Sequence, residues 1–319
     1  MNDDPSGAFS AAKLREYVEG EVKENEDLHP HTGLVEPGSE ASELLSFMES
    51  IYDPKDRDLP TSFAESRAGS VLRRKAATDR VGGSVSDLPS YAVGLTETDV
   101  DISDSQAVAR IFNSMLNEKA PYSAVLFGGM NKGKTGFAAL WLELWKELVP
   151  LKYPDADDYR ILTNMRTLDC ADEVVTHIDD LKRLVFGDDE YINSGGDAGT
   201  PPEIDPATPV WWHFDECSTH LDARTMGWEV PNLYLPLVKR FAKVNVDAVH
   251  IGHSGMDIHA DMRRSHITTE FVFKTGLKTA NVYEAMMEDQ GTDLKYLLEQ
   301  IPETTLDYDP DDYSPFSWE

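Results

Sequence analysis

Eight residues constrain the fold of this chain more than any others: Gly128-Gly129-Met130-Asn131-Lys132-Gly133-Lys134-Thr135 match the pattern G-x-x-x-x-G-K-[ST]. The apolar run Ala124-Val125-Leu126-Phe127 precedes them and reads as a strand, while Gly136 to Leu148 reads as a helix. A strand, a glycine-rich turn and a helix in that order form a phosphate cradle. The glycines let successive backbone N–H groups turn inward, Lys134 reaches the terminal phosphates, and the Thr135 hydroxyl ligates Mg²⁺. The helix N-terminus, where Gly136 sits, adds a favourable field for the anion. ATP and Mg²⁺ are the expected ligands.

A second element is needed for chemistry. Val210-Trp211-Trp212-His213-Phe214-Asp215-Glu216 is an apolar strand closing on two adjacent carboxylates, roughly 80 residues after the loop. An isolated Asp-Glu pair in so acidic a chain reads as solvated loop. At the carboxyl end of a buried strand beside a phosphate loop it takes the place where ligands bind in open α/β sheets. Asp215 is then expected to hold the Mg²⁺, and Glu216 to orient and polarise the attacking water. A kinase or GTPase has less need of a carboxylate directly after the metal-associated Asp, and no N-K-x-D for guanine is present.

Downstream, Val246 to Gly252 reads as a strand ending in His253-Ser254, where a polar side chain can sense the terminal phosphate; a capping Ser and an exposed His are the alternative. Arg263 and Arg264 follow, with Arg224 and Arg240 as rivals. Any one of them, and Arg263 first, is a candidate for a guanidinium supplied in trans to transition-state charge, against the reading of each as a surface ion pair. His253, His259 and His266 lack the helical spacing and acidic partner of a metal site.

The chain has 319 residues, of which 40% are hydrophobic, enough to bury a substantial core. Its 58 acidic against 29 basic residues give a net charge of −29 spread along the length. Such charge repels itself and nucleic acid in dilute buffer, whereas at 1 M salt the Debye length falls to about 3 Å. The composition therefore reads as adaptation to brine, as in a salt-in archaeon or one of its viruses or plasmids; an acidic protein that avoids DNA is the alternative. Cys170 and Cys217 form no C-x-x-C, so neither a disulfide framework nor a zinc site is indicated. No signal peptide and no transmembrane segment is expected, which points to a high-salt host cytoplasm or a virion.

Residues 1–100 are acidic, with amphipathic patches at Ala11 to Val22 and Ala41 to Ile51 that predict helices joined by mobile links. Arg67, Arg73, Arg74, Lys75 and Arg80 make the one basic concentration, either a phosphate-backbone contact or a solvated face paired with acids. Asp104 to Asn117 predicts a helix leading into the loop strand. Strands at Tyr159 to Thr163, Val210 to Phe214 and Val246 to Gly252 then alternate with helices at Ala171 to Phe186 and Leu233 to Lys243. Ile267 to Lys274 and Ala280 to Ala285 add edge strands, and 187–209 reads as a surface insertion. The prediction is an α/β fold with a mainly parallel central sheet flanked by helices over residues 101–290. Residues 291–319 read as an acidic tail, loose or docked through Tyr313, Phe316 and Trp318.

Taken together, residues from about 120 to 275 resemble the FtsK/HerA group of P-loop ATPases, in particular the zonula occludens toxin-like branch and viral genome-packaging ATPases. The resemblance rests on the loop, on Arg160-Ile161-Leu162-Thr163-Asn164, and on Phe214-Asp215-Glu216, Arg224, Leu237-Val238-Lys239-Arg240 and Ile251-Gly252-His253-Ser254-Gly255 to Arg263, in order and spacing. The chain departs from the group in carrying His253-Ser254 where Gln is common, and in lacking a membrane span. The resemblance implies a RecA-like (ASCE) P-loop fold and a homo-oligomer, often a hexameric ring, with sites between subunits and DNA pulled through the centre. The expected function is Mg²⁺-dependent ATP hydrolysis coupled to DNA movement in packaging, transfer or replication of a viral or plasmid genome. The alternative is an ATP-dependent switch or scaffold with slow turnover and no DNA substrate. A P-loop kinase is a weaker reading, because its arginine-rich lid has no counterpart in the 187–209 insertion.

Overall fold

In the computed structural model, residues 31, 35, 38–54, 59–84, 102–118, 121–264 and 267–318 are described. The helix expected at Ala11 to Val22 lies outside them. The chain divides into two compact units, Met1–Ala109 and Arg110–Glu319.

In the first unit, α1 (Glu40–Ile51) begins where the Ser39 hydroxyl accepts from the Ser42 N–H at 3.2 Å, satisfying one of the amides a helix start leaves without a partner. Leu45 and Met48 bury its apolar face. α2 (Arg67–Ser84) follows a 3₁₀ turn at Phe63–Glu65, and Gly69 is required there because a Cβ would lie 1.8 Å from the Phe63 carbonyl oxygen. Arg67, Arg73, Arg74 and Lys75 all have interaction partners.

α3 (Ile102–Asn117) straddles the division and buries Ile111, Phe112 and Met115. The second unit then continues with β1 (Ser123–Phe127), α4 (Lys134–Lys152), β2 (Arg160–Thr163), β3 (Glu173–Val174), α5 (Ile178–Val185), α6 (Asp189–Ser194), β4 (Val210–Phe214) and α7 (Cys217–His220). A π turn at Val230–Tyr234, α8 (Leu235–Val238), β5 (Val246–Ile251), β6 (Glu270–Gly276), β7 (Thr279–Met287) and β8 (Gln290–Leu298) complete it. These eight strands form one sheet in the order β3-β2-β4-β5-β1-β6-β7-β8. Every pairing from β3 to β6 is parallel, and the β6–β7 and β7–β8 pairings are antiparallel. The molecule is thus a mixed α/β protein whose mostly parallel central sheet is flanked by helices.

Continuous apolar runs explain the centre. Every residue of β1, β4 and β5 is buried, which is how parallel strands covered on both faces read. Helix α4 is buried over most of its surface, including Trp141 and Trp145, as a mostly apolar helix must be, with Glu143 and Lys146 half-buried. Its far end is clamped by Asp247, a fully buried carboxylate at the start of β5. Asp247 accepts from the Trp145 Nε1–H at 2.7 Å, the Tyr153 hydroxyl at 3.2 Å and the Tyr122 backbone N–H, with the Lys152 ammonium at 3.5 Å. That clamp aims the N-terminus of α4 at the carboxyl ends of the strands.

Several elements differ from the sequence expectation. Residues 171–177 form not the start of a helix but the short edge strand β3 and a loop, because Val175 and Asp172 spend their N–H groups on the Thr163 and Ile161 carbonyls. The helix expected at Leu233 to Lys243 is broken into a π turn, α8 and a 3₁₀ turn, with Pro231 and Pro236 at the breaks. Strand β8 extends the sheet beyond the expected boundary at residue 290, and its antiparallel register with β7 explains why: Val282 and Ala280 pair with Tyr296 and Leu298. The tail beyond it is docked. Phe316 packs 4.8 Å from the Phe214 ring and 6.4 Å from Trp212, and Trp318 lies 6.1 Å from Tyr234. The 187–209 segment carries α6 and is exposed or half-buried, as expected of an insertion, apart from the buried Gly187, Ile204 and Pro209.

Two histidines lie wholly within this core. His213 of β4 has neither ring nitrogen bonded, and His250 of β5 bonds through Nε2 to the Tyr234 hydroxyl at 2.6 Å. Burial lowers their pKa values to about 3 and about 4. Below the unfolded value near 6.5 the unfolded chain binds protons that these sites refuse, so each contributes stability that is complete above pH 6.5 and lost as pH falls toward 3 to 4. The His213→Leu variant loses no hydrogen bond. It is expected to be at least as stable at pH 7, and its stability should fall less steeply between pH 6.5 and 4, by about 1.4 kcal/mol per pH unit. Urea unfolding at stepped pH measures this, and parallel curves for the two proteins would refute it.

Candidate functional site

The loop Gly128 to Gly133 emerges from β1 at the carboxyl edge of the sheet. Two backbone inversions shape it: Asn131 has φ 59° and Gly133 φ 70°, both left-handed, and the second is where a side chain is least tolerated. Gly129, Met130, Asn131, Lys132 and Gly133 are exposed, so the cradle faces solvent. Gly128 is the other end of the turn. A Cβ there would lie 2.9 Å from the Lys274 Cβ and 3.1 Å from its carbonyl oxygen, so glycine alone lets the loop rest on β6.

Lys134 and Thr135 open α4. The Lys134 ammonium folds back to donate to the Gly129 carbonyl at 3.2 Å, and the Thr135 hydroxyl approaches Asp215 Oδ2 at 3.5 Å. β5 lies between β1 and β4, so the loop and the Asp215-Glu216 pair face each other across one strand. Burial lowers the Lys134 pKa, against the charges of Asp215 and Glu216. Burial also raises Asp215 to about 6; the neighbouring Glu216 charge adds to this, while the Glu216 N–H, Lys134 and Thr135 oppose it. Both shifts favour neutral forms, the mark of a pocket that has taken charge out of water and wants more counter-charge.

Glu216 stands at the turn from β4 into α7 with φ 56°, a strained value for a residue with a side chain. Its N–H is held by Asp215 Oδ1 at 2.8 Å. Its carboxylate meets His253, whose Nε2 lies 3.5 Å from Glu216 Oε2. The His253 backbone is fixed on both sides: its N–H donates to Ser218 Oγ at 2.5 Å, and its carbonyl accepts from the Gly128 N–H at 3.3 Å. His253 therefore touches both the carboxylate pair and the loop.

Lys134, Thr135, Asp215, Glu216 and His253 thus share one place with the loop, whereas Ser254, Arg263, Arg224 and Arg264 are engaged in other contacts. Ser254 caps the next turn, accepting from the Met256 N–H at 3.1 Å. Arg263 donates to the Glu288 carbonyl at 2.7 Å, at the β7–β8 turn. Arg224 pairs with Asp222 and Asp257, and Arg264 with Asp261.

Three contributors were given no part in the site by the sequence reading. Asn164, fully buried at the end of β2, accepts from the Asp215 N–H at 2.8 Å and donates to the carbonyls of Asp215 at 3.1 Å and Ser314 at 2.7 Å. It locks the end of β4. Lys274, buried beneath the loop, donates to the Leu277 carbonyl at 2.7 Å and lies 4.8 Å from the Phe137 ring centre; burial lowers its pKa to about 8. A lysine ending the apolar run Phe271-Val272-Phe273 was the available signal. The third is the C-terminal segment, which with Glu216, Thr219 and His220 lines a cleft of about 550 Å³ through Asp311, Tyr313 and Phe316.

For a cation, the donors on hand are hard oxygens, Thr135 Oγ1 and the Asp215 carboxylate. Among the described residues no group of three or more His, Cys, Asp or Glu is arranged to cage a metal by itself. Such a set fits Mg²⁺, which keeps few protein ligands and completes its shell with phosphate oxygens and water.

No helix among the described residues is long and apolar enough to cross a membrane. No protein-family model and no curated protein matches the chain. Among solved structures, the N-terminal domain of zonular occludens toxin from Neisseria meningitidis is similar over 53% of this chain and 87% of that one, with 14% sequence identity and a TM-score of 0.35.

Proposed function

We propose that this site binds ATP with Mg²⁺ and hydrolyses it. One juxtaposition carries the reading: the glycine-turned loop with Lys134 and Thr135 faces the buried Asp215 and the half-exposed Glu216 across a single strand. In this reading the loop amides and Lys134 bind the phosphates, and Thr135 and Asp215 hold the Mg²⁺. When bound, the ion supplies charge neutralisation on the phosphate oxygens. Glu216 orients the attacking water and accepts its proton, while His253 holds the Glu216 carboxylate in place. Burial raises Asp215 to about 6, and a cation beside it would favour its charged form.

Coupling of that hydrolysis to DNA movement, a ring of like subunits, and an arginine such as Arg263 acting in trans are supported by the sequence resemblance. A brine-adapted setting, in a cytoplasm or virion, is supported by the net charge of −29. The second reading, a nucleotide switch with slow turnover, is favoured by one observation: Asn164 joins Asp215 directly to the C-terminal segment at Ser314. Phosphate release in multi-molar KCl, with and without DNA, together with the native mass at the same salt, separates the two. Turnover that requires Mg²⁺ and rises with DNA is expected. A monomer turning over slowly and indifferent to DNA would leave the switch, and a chain that binds no ATP would remove both.

A further inference from the structure

The C-terminal segment is an extended strap whose route is fixed by specific bonds. It starts at β8, where the Ile301 N–H donates to the Lys278 carbonyl at 2.9 Å. On the flank of α4, Thr304 Oγ1 and the Thr305 N–H both donate to Glu143 Oε2, at 2.8 and 2.9 Å. Four residues later Tyr308 reaches Gly136, near the start of the same helix. Seven helical residues rise about 10.5 Å and four extended ones span about 13 Å, so the strap runs stretched along α4 toward its N-terminus. Beyond Tyr308, the Asp309 N–H donates to Thr167 Oγ1 at 3.0 Å, and Asp312 Oδ2 accepts from the Thr167 N–H at 2.8 Å and hydroxyl at 2.7 Å. The strap then meets Asn164 at Ser314 and anchors through Phe316.

This course brings one polar group to the loop. A Cβ placed on Gly136 would lie 2.6 Å from the Tyr308 hydroxyl oxygen, so the phenol rests directly on the helix backbone at the residue after Thr135. Gly136 has no side chain, and that leaves room for it. Among the described residues the hydroxyl has no hydrogen-bond partner, although Thr304, Thr305, Leu306 and Asp309 on either side of it are bonded. Burial, then the charges of Glu303 and Asp215, raise the phenol above its usual pKa, so it is an O–H donor throughout the physiological range. Backbone amides at this position of a phosphate loop face the α and β phosphates. A hydroxyl donor resting on Gly136, held by a strap tied to both α4 and Asn164, lies beside the loop that would carry an anion.

We propose that Tyr308 is a nucleotide-binding residue whose hydroxyl donates to the α- or β-phosphate of the bound nucleoside phosphate, making the strap one wall of the cradle. The proposal rests on the ATP-binding reading above. Strap and loop are then coupled: an occupied cradle holds Tyr308, and through it the chain from Thr304 to Ser314.

The test is Mg·ADP and inorganic pyrophosphate binding to the full chain in molar KCl, by calorimetry, for the native protein and for Tyr308→Phe, with Lys134→Ala as reference. Removal of a hydrogen bond to a charged group should weaken both ligands roughly tenfold or more, with the thermal midpoint unchanged because the ring is retained. Native protein that binds neither ligand refutes the nucleotide reading itself. If the native protein binds both, Lys134→Ala loses them and Tyr308→Phe does not, the Tyr308 assignment alone fails. Loss of ADP without loss of pyrophosphate would move the contact to the nucleoside and overturn it likewise. A second pair guards against misfolding: Gly136→Ala, whose methyl pushes the phenol aside, should weaken ADP in the native background and add little in a Tyr308→Ala background. Equal losses in the two backgrounds would show that Gly136 acts without Tyr308.

Discussion

Glu216→Gln is expected to keep Mg·ATP binding at the native level while lowering turnover by at least about 100-fold, the usual worth of a positioned general base. The substitution preserves shape and removes only the proton acceptor. The backbone at Glu216 is held by its N–H bond to Asp215 Oδ1 and by the strained left-handed turn, neither of which depends on the carboxylate. Lys134→Ala should behave in the opposite way and lose binding itself, because the ammonium that folds onto the Gly129 carbonyl is the one free to swing to a phosphate. Binding measured by a fluorescent ATP analogue and turnover measured by phosphate release separate the two variants. A Glu216→Gln protein hydrolysing ATP at the native rate would remove Glu216 from the mechanism.

Asn164→Leu is expected to cost roughly 4 kcal/mol of stability. Leucine keeps the same heavy-atom branching, with bulkier methyl ends, but leaves the Asp215 N–H, the Asp215 carbonyl and the Ser314 carbonyl buried without their partner, at about 1–3 kcal/mol for each group that water cannot reach. The loss should show as a lower urea midpoint with little change in slope, since the same surface is exposed on unfolding. Hydrogen exchange should also speed up at Thr167 and Ser317, whose N–H groups hold the strap at 2.8 Å each. A change below about 1 kcal/mol with unaltered exchange would mean that Asn164 does not join the strap to the site.

The central elements were legible because they are locally encoded. Val210 to Phe214 is apolar but for His213 and is found as β4 with every residue buried, and the loop match is flanked by β1 and α4. Periodicity failed where partners from distant sequence decide. Residues 171–177 carry a helix-like pattern, yet their backbone groups find the edge of β2. Gln290 to Leu298 looks polar and tail-like, since an edge strand buries little of itself: only Leu298 is buried.

By itself the sequence determined the loop, the carboxylate pair and the α/β alternation that separates them, because glycine freedom, a lysine beside a hydroxyl and apolar runs act within a few residues. It also determined the acidic surface, a sum over the whole chain. Only the tertiary structure decided that β5 comes between β1 and β4, that His253 meets Glu216 and that Asn164 grips both Asp215 and Ser314. Only there, too, does Tyr308 come to rest on Gly136, 172 positions earlier in the chain, by the numbers of the two residues. Those contacts depend on strand order and on the path of the strap, which loop closure over such separations sets and no local pattern records.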